Sequence, residues 1–116
     1  MSVADLEILS LPPSVRAALR EAKTELERLY GDRLVKIVLY GSHVRGEAHQ
    51  ESDVDVLVVL RGEFRVYDEI KRTGEIVSKA LLKHHELLAL LPFAEEQFHN
   101  PWHPLMMNVR EEGVVL

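Results

Sequence analysis

The 116-residue chain contains no cysteine. This absence excludes disulfide bridges and thiolate metal sites, and it favours a reducing compartment. No apolar run reaches the roughly 18 residues that a membrane-spanning helix requires. The first residues, MSVADLEILSLPP, carry acids where a secretory signal peptide would carry positive charge. The sequence therefore predicts a cytoplasmic protein without a membrane span.

Basic residues are also few, since 14 Lys and Arg stand against 19 Asp and Glu, giving a formal net charge of −5. Binding along a nucleic-acid backbone needs a positive surface, so general nucleic-acid binding is not expected. A single bound nucleotide remains compatible with this charge, because a metal ion and a few backbone amides can hold it.

The chain shows no repeat, linker or low-complexity segment. Its length suits one domain with one hydrophobic core. We therefore expect a single domain over residues 1–116, in which residues 1–13 form an N-terminal extension.

Two long helices are predicted from apolar residues that recur every three or four positions. The first enters at Pro12-Pro13-Ser14, with Ser14 as its N-cap, and stops at Gly31. Its predicted inner residues are Val15, Ala18, Leu19, Ala22, Leu26 and Leu29. The second helix is expected over Tyr67–Lys83. Its predicted inner residues are Ile70, Ile76, Val77, Ala80 and Leu81.

Strands are predicted in the remaining short apolar stretches, and proline is expected to end the third of them. These stretches are Leu34–Tyr40, Asp53–Leu60, Glu86–Leu91 and Gly113–Leu116. Short helical pieces are expected around Val44–Gly46, Ala94–Phe98 and Leu105–Arg110. This order predicts an α+β fold of the two-layer α/β type, a small mixed sheet of about four strands packed against helices.

Asp53 and Asp55 form a candidate site at the start of the second predicted strand. Side chains two residues apart on a strand point to the same face, so the carboxylates project together. Two ionised carboxylates this close repel each other unless a cation lies between them. A pair of oxygen ligands favours a hard ion such as Mg²⁺ that also binds substrate phosphates. The alternative is two exposed aspartates at the mouth of a strand.

Gly41 and Ser42 directly follow the first predicted strand. A glycine at this point lets the backbone approach a ligand, and Ser42 offers a hydroxyl and an N–H to a phosphate. Gly41 and Gly46 also have the spacing of a P-loop, but Glu47 replaces its lysine and Ala48 its Ser or Thr. The P-loop interpretation is therefore rejected, and a plain turn is the remaining alternative to phosphate binding.

Together these residues resemble the motif of a known family. The matching residues are Gly41, Ser42, Arg45, Gly46, Ser52, Asp53 and Asp55. They fit the G-S-x-x-R-G…S-D-x-D frame of the minimal nucleotidyltransferases, a branch of the DNA-polymerase-β-like nucleotidyltransferases. The similarity covers most of the chain and includes its last residues, NVREEGVVL.

The resemblance implies a nucleotidyltransferase-like fold and transfer of a nucleoside monophosphate from ATP or another nucleoside triphosphate. It implies that Gly41, Ser42 and Arg45 bind the nucleotide. Asp53 and Asp55 would then be both the catalytic residues and the Mg²⁺ ligands. In such reactions the metal neutralises the triphosphate and can activate the attacking hydroxyl, and pyrophosphate leaves.

The third predicted strand departs from the pattern of this family, whose active members usually carry a third carboxylate there. Its interior, LLALL, contains no acid. Glu86 at its first position could complete the set. The other interpretation, which we favour, is a solvated residue at the end of a strand. A site with two carboxylates would hold one metal ion well and a second one poorly.

Two functions follow from the resemblance. The first is an enzyme that transfers AMP from ATP to a protein, acting as the antitoxin of an all-helical HEPN-type protein encoded nearby. The second is a catalytically weak or inactive module that neutralises this partner by contact. A small-molecule-modifying transferase is less favoured, because such enzymes usually carry a substrate domain in the same chain. Association of identical copies stays open.

Overall fold

The computed structural model describes residues 2–3, 10–49 and 52–116. The strands within these ranges form one mixed sheet in the order β1-β5-β2-β3-β4. They are β1 (Ser2–Val3), β2 (Leu34–Tyr40), β3 (Val54–Leu60), β4 (Leu88–Ala94) and β5 (Val114–Val115). The β1–β5 and β3–β4 pairs are parallel, whereas β2 runs antiparallel to both β5 and β3. The predicted mixed sheet is confirmed, with the two-residue β1 added from the predicted extension.

Helices lie on both faces of this sheet. They are α1 (Pro13–Tyr30), α2 (Ser42–Arg45), α3 (Val66–Arg72), α4 (Gly74–His84), α5 (Glu95–Phe98) and α6 (Pro104–Glu112), with a 3₁₀ turn over Gly31–Arg33. The long helices α1 and α4 bury the main apolar cluster against one face. The short helices α5 and α6 cover part of the other face through Phe98, Met106 and Val109. None of the helices in the described ranges combines the length and apolar character of a bilayer crossing.

Helix α1 buries the predicted inner residues from Val15 to Leu26. The prediction is wrong at Leu29, which is 41 % exposed, because Tyr30 takes the next inward position. The Tyr30 hydroxyl donates a buried hydrogen bond of 2.8 Å to Glu69. Ser14 is not the N-cap: the helix already begins at Pro13, and the Ser14 hydroxyl donates to Glu86 at 2.7 Å.

The second predicted helix is two helices, α3 and α4, separated at Thr73. The Thr73 hydroxyl donates to the backbone carbonyl oxygens of Glu69 and Ile70, at 3.0 and 3.2 Å. Because the helix is interrupted there, the apolar periodicity of α4 does not continue into α3. Ile70 is consequently 48 % exposed, contrary to the prediction. At the other end of the stretch, Leu81 is also exposed.

Strand β4 starts later than predicted and continues through Pro92 to Ala94. It is an edge strand in the described sheet and pairs only with β3, where Pro92 lies opposite Val58. Proline has no N–H, which an edge strand tolerates because one of its sides needs no ladder hydrogen bonds. The remaining predicted elements are present, with ends shifted by no more than two residues.

Candidate active site

The segment GSHVRG folds into a one-turn helix at the end of β2. Gly41 has φ +84° and ψ −155°, a conformation almost confined to glycine. Its carbonyl oxygen accepts hydrogen bonds from the N–H groups of Val44 (3.1 Å) and Arg45 (3.2 Å). Gly46 ends the turn in a left-handed conformation, with φ +74°. The two glycines thus allow the chain to leave the sheet and turn back within a few residues.

Asp55 lies directly against this turn. It is the ladder partner of Tyr40, the residue before Gly41. A Cβ atom placed on Gly41 would overlap Oδ2 of Asp55 and lie 3.1 Å from its Cγ. Only glycine therefore leaves room for the Asp55 carboxylate at this point. The structure brings Gly41 and Asp55, predicted separately as site residues, into contact.

Asp53 comes just before β3 and is exposed, whereas Asp55 is half-buried. Alternation along the strand puts both carboxylates on the face that α6 partly covers. Neither has a hydrogen bond or an ion pair with any residue in the described ranges. Carboxylates that serve the fold usually have such a partner. Asp53 is exposed and needs no partner, so the unpaired, half-buried carboxylate of Asp55 is the observation that favours a ligand here.

The pKa shifts at the site also indicate that the negative charge of the two carboxylates is not fully compensated. The pKa of Asp55 is raised above its ordinary value, mainly by burial and then by the negative charge of Asp53. His43 and Arg45 act in the opposite direction, through their positive charge. Asp55 in turn helps burial to raise the pKa of Tyr40. A cation bound at the carboxylates would relieve this repulsion.

Ser42 is the first residue of α2 and is partly exposed. Its hydroxyl has no hydrogen-bond partner within the part of the chain that the structure describes. Its carbonyl oxygen accepts the N–H of Glu47 at 2.9 Å, which closes the turn. The hydroxyl is therefore free to donate to a ligand beside Gly41.

Arg45 lies at the edge of the site with its charge already paired. Its Nε is 3.1 Å from Oε2 of Glu47, and one terminal nitrogen is 3.0 Å from Oε1 of Glu112. Glu112 is the last residue of α6, so the second pair joins α2 to that helix. Glu112 could not be predicted from the sequence, because the contact spans 67 residues and no motif marks it.

Among the described residues, no third carboxylate lies beside the pair. The β4 residue opposite Asp55 is Ala89, which has no metal-binding group. Glu86 precedes β4, and its partly buried carboxylate accepts the Ser14 hydroxyl from α1, on the other side of the sheet. In the described ranges, no three His, Cys, Asp or Glu side chains are grouped to hold a metal ion. Glu86 thus has a structural contact and does not join Asp53 and Asp55.

Comparison with known proteins identifies the family. A sequence model described as "Nucleotidyltransferase domain" matches residues 19–115. The chain belongs to this family. All of the site residues described above, from Gly41 to Glu112, lie within the matched span. Nucleotidyltransferases generally use a nucleoside triphosphate and Mg²⁺.

Relatives of this nucleotidyltransferase domain occur in Methanocaldococcus jannaschii. One, named "Putative protein adenylyltransferase", is 34 % identical over 101 residues, covering 85 % of this chain and 94 % of the relative. A second with the same name is 32 % identical over 71 residues, covering 61 % and 71 %. A crystal structure of a "putative nucleotidyltransferase" from Sulfolobus solfataricus is 19 % identical, with a TM-score of 0.48, and covers 88 % of this chain and 84 % of that one.

Proposed function

We propose that this nucleotidyltransferase domain transfers AMP from ATP to a protein, in a reaction that depends on Mg²⁺. The observation that carries the proposal is the contact between the Gly41 turn and the Asp55 carboxylate, within a chain of this family. The contact supports the proposal because it joins a residue proposed to bind phosphate to a residue proposed to bind metal. The names of the relatives support AMP as the group and protein as the acceptor.

The residues present fit Mg²⁺, because Asp53 and Asp55 offer only oxygen atoms and lack any other partner in the described ranges. Bound there, Mg²⁺ would neutralise part of the charge that develops on the triphosphate. Gly41 lets the backbone approach the phosphates, and the Ser42 hydroxyl donates to a phosphate oxygen. Arg45 donates guanidinium N–H groups to the triphosphate.

The acceptor, we propose, belongs to another chain, an all-helical HEPN-type protein encoded nearby, and this chain is its antitoxin. The motif resemblance to the minimal nucleotidyltransferases supports this pairing. We also propose that residues 1–116 form a single domain. Its described elements build the sheet and the helices against it, so no separate module for the acceptor is seen among them.

A second candidate function is a binding module that neutralises the partner by contact, with weak or absent transfer. The position of Ala89 opposite Asp55 favours it, because a β4 carboxylate there would be the natural third ligand. With two carboxylates, one Mg²⁺ carried by the nucleotide has ligands, whereas a second ion has no dedicated one.

Incubation with labelled nucleoside triphosphates and Mg²⁺, with and without the co-encoded partner, separates the two candidates. The enzyme labels the partner with AMP, and Asp55→Asn, which keeps the shape of the side chain, abolishes labelling. The binding module binds nucleotide without labelling. Glu86→Gln should leave the rate unchanged, because Glu86 contacts Ser14. Brisk transfer to a small molecule without any partner would overturn the antitoxin proposal.

A further inference from the structure

Arg45 is the lysine or arginine closest in sequence to the Gly41-Ser42 turn, and both of its ion pairs in the described ranges are with glutamates. Glu47 is its near neighbour in the chain. Glu112 comes from α6 and is 29 % exposed, against 42 % for Arg45 and 65 % for Glu47. A triphosphate that binds Arg45 therefore contacts a guanidinium that is already paired with two carboxylates.

Glu112 lies next to a tightly packed part of the backbone. Gly113 follows it, and the Gly113 N–H donates to the Val109 carbonyl oxygen at 2.7 Å. A Cβ atom on Gly113 would overlap that oxygen and lie 2.7 Å from Cγ1 of Val38 in β2. The end of α6 is thus packed tightly on the sheet. Glu112 is held near Arg45 by the fold itself.

Carboxylates and phosphates bind a guanidinium through the same N–H groups, so they compete for it. Exposed ion pairs are weak and exchange readily. We propose that Glu112 sets the nucleotide affinity of the site by competing with the triphosphate for Arg45. This inference rests on the proposed function, because it requires a nucleotide at the Gly41-Ser42 turn.

The test measures the Kd of the full chain for the Mg²⁺ complex of α,β-methylene-ATP, which binds without being cleaved. Glu112→Gln removes the competing charge and should tighten binding by about two- to fivefold, the range of one exposed ion pair. Glu111→Gln is the matched control: it removes the same charge one position earlier, from an exposed residue with no partner in the described ranges. It should change the Kd less than Glu112→Gln does.

In an Arg45→Gln background, Glu112→Gln should no longer tighten binding, because there is no guanidinium to release. The ¹⁵N-resolved Nη1–H signal of Arg45, the group that donates to Glu112, gives a readout without nucleotide, and it should shift in Glu112→Gln but not in Glu111→Gln. Equal effects of the two glutamate variants, or weaker binding in Glu112→Gln, would overturn the inference while leaving the proposed function standing. If the wild-type chain binds no Mg²⁺–nucleotide, the proposed function and this inference both fall.

Discussion

Strand β3 has two faces that differ in what their side chains contact. The face towards α1 and α4 is wholly apolar and consists of Val54, Val56, Val58 and Leu60, none more than 2 % exposed. The face towards α6 has equally buried residues, Leu57 and Val59, only in its second half. The first two positions of this face are Asp53, just before the strand, and Asp55. One strand thus combines a continuous core face with a face that is interrupted by two carboxylates.

The difference separates side chains that packing explains from side chains that it does not explain within a single element. On the core face each side chain is accounted for by its burial. On the other face, Asp55 is half-buried and is repelled by the negative charge of Asp53. It has no hydrogen-bond or ion-pair partner in the described ranges. Burial of a charge without a partner costs free energy. This cost arises at Asp55, the residue that the Gly41 turn contacts.

The largest effect on stability is expected from placing a charge on the apolar core face. Val56→Asp puts an unpaired charge among α1, α4 and the sheet, and should lower the free energy of unfolding by roughly 3–5 kcal/mol. Urea denaturation followed by circular dichroism measures this loss. Asp53→Val, the converse change at an exposed position, should alter stability by less than about 1 kcal/mol. Similar losses in the two variants would mean that the faces are not distinct.

Gly41→Ala tests the contact between the turn and Asp55. Alanine would be strained at this positive φ, and its Cβ would overlap Oδ2 of Asp55. We therefore expect the free energy of unfolding to fall by roughly 2–4 kcal/mol. Gly46→Ala is the control, because its φ is similarly positive but no atom lies within 4 Å of the added Cβ. It should cost about 1 kcal/mol. Only Gly41→Ala should also abolish Mg²⁺–nucleotide binding, as measured by calorimetry.

Most of the sheet and the centre of the site could be predicted from the sequence, because they depend on local patterns. Strand β2 and strand β3 are short apolar runs, and Gly41, Ser42, Asp53 and Asp55 lie within one stretch of motif. That motif predicts residues near one another in the chain, and the antiparallel β2–β3 pairing then brings them together in space.

The structural features that could not be predicted are those that the local apolar pattern of the sequence does not show. Pro92 fits inside β4 only because that strand is at the edge of the sheet. At the helix break, the Thr73 hydroxyl donates to two backbone carbonyl oxygens, a contact that apolar periodicity does not reveal. The pair of Arg45 with Glu112 joins segments far apart in the chain. The positions of Pro92 and of the Arg45–Glu112 pair are tertiary effects, whereas the Thr73 hydrogen bonds are local ones that an apolar pattern does not show.

Ser42→Ala should have a smaller effect than Gly41→Ala, and on ligand affinity rather than on stability. The hydroxyl has no partner in the described ranges, so its removal leaves the fold intact. Loss of one hydrogen bond to a charged phosphate should weaken Mg²⁺–nucleotide binding by about 1.5–3 kcal/mol. Ser78→Ala, at an exposed position on α4, should leave the affinity unchanged. Unchanged affinity in Ser42→Ala as well would make the turn merely structural.

The smallest expected effect is on the stability of the metal-free chain, and its sign is informative. Because the pKa of Asp55 is raised in the folded state, folding is favoured while this group is protonated, and that advantage is lost as the pH rises through the folded pKa. Asp55→Asn should therefore be slightly more stable than the wild type at neutral pH. The gain should vanish below the unfolded value of about 3.8.

Thermal unfolding of both proteins across this pH range measures the difference, and titrating groups that do not interact with Asp55 cancel between them. Saturating Mg²⁺ with nucleotide should reverse the order at neutral pH, because only the wild type then gains a bound ligand. A loss of stability in metal-free Asp55→Asn at neutral pH would show that the carboxylate supports the fold as Val56 does. The two faces of β3 would then differ in polarity but not in role, and the metal interpretation of Asp55 would fail.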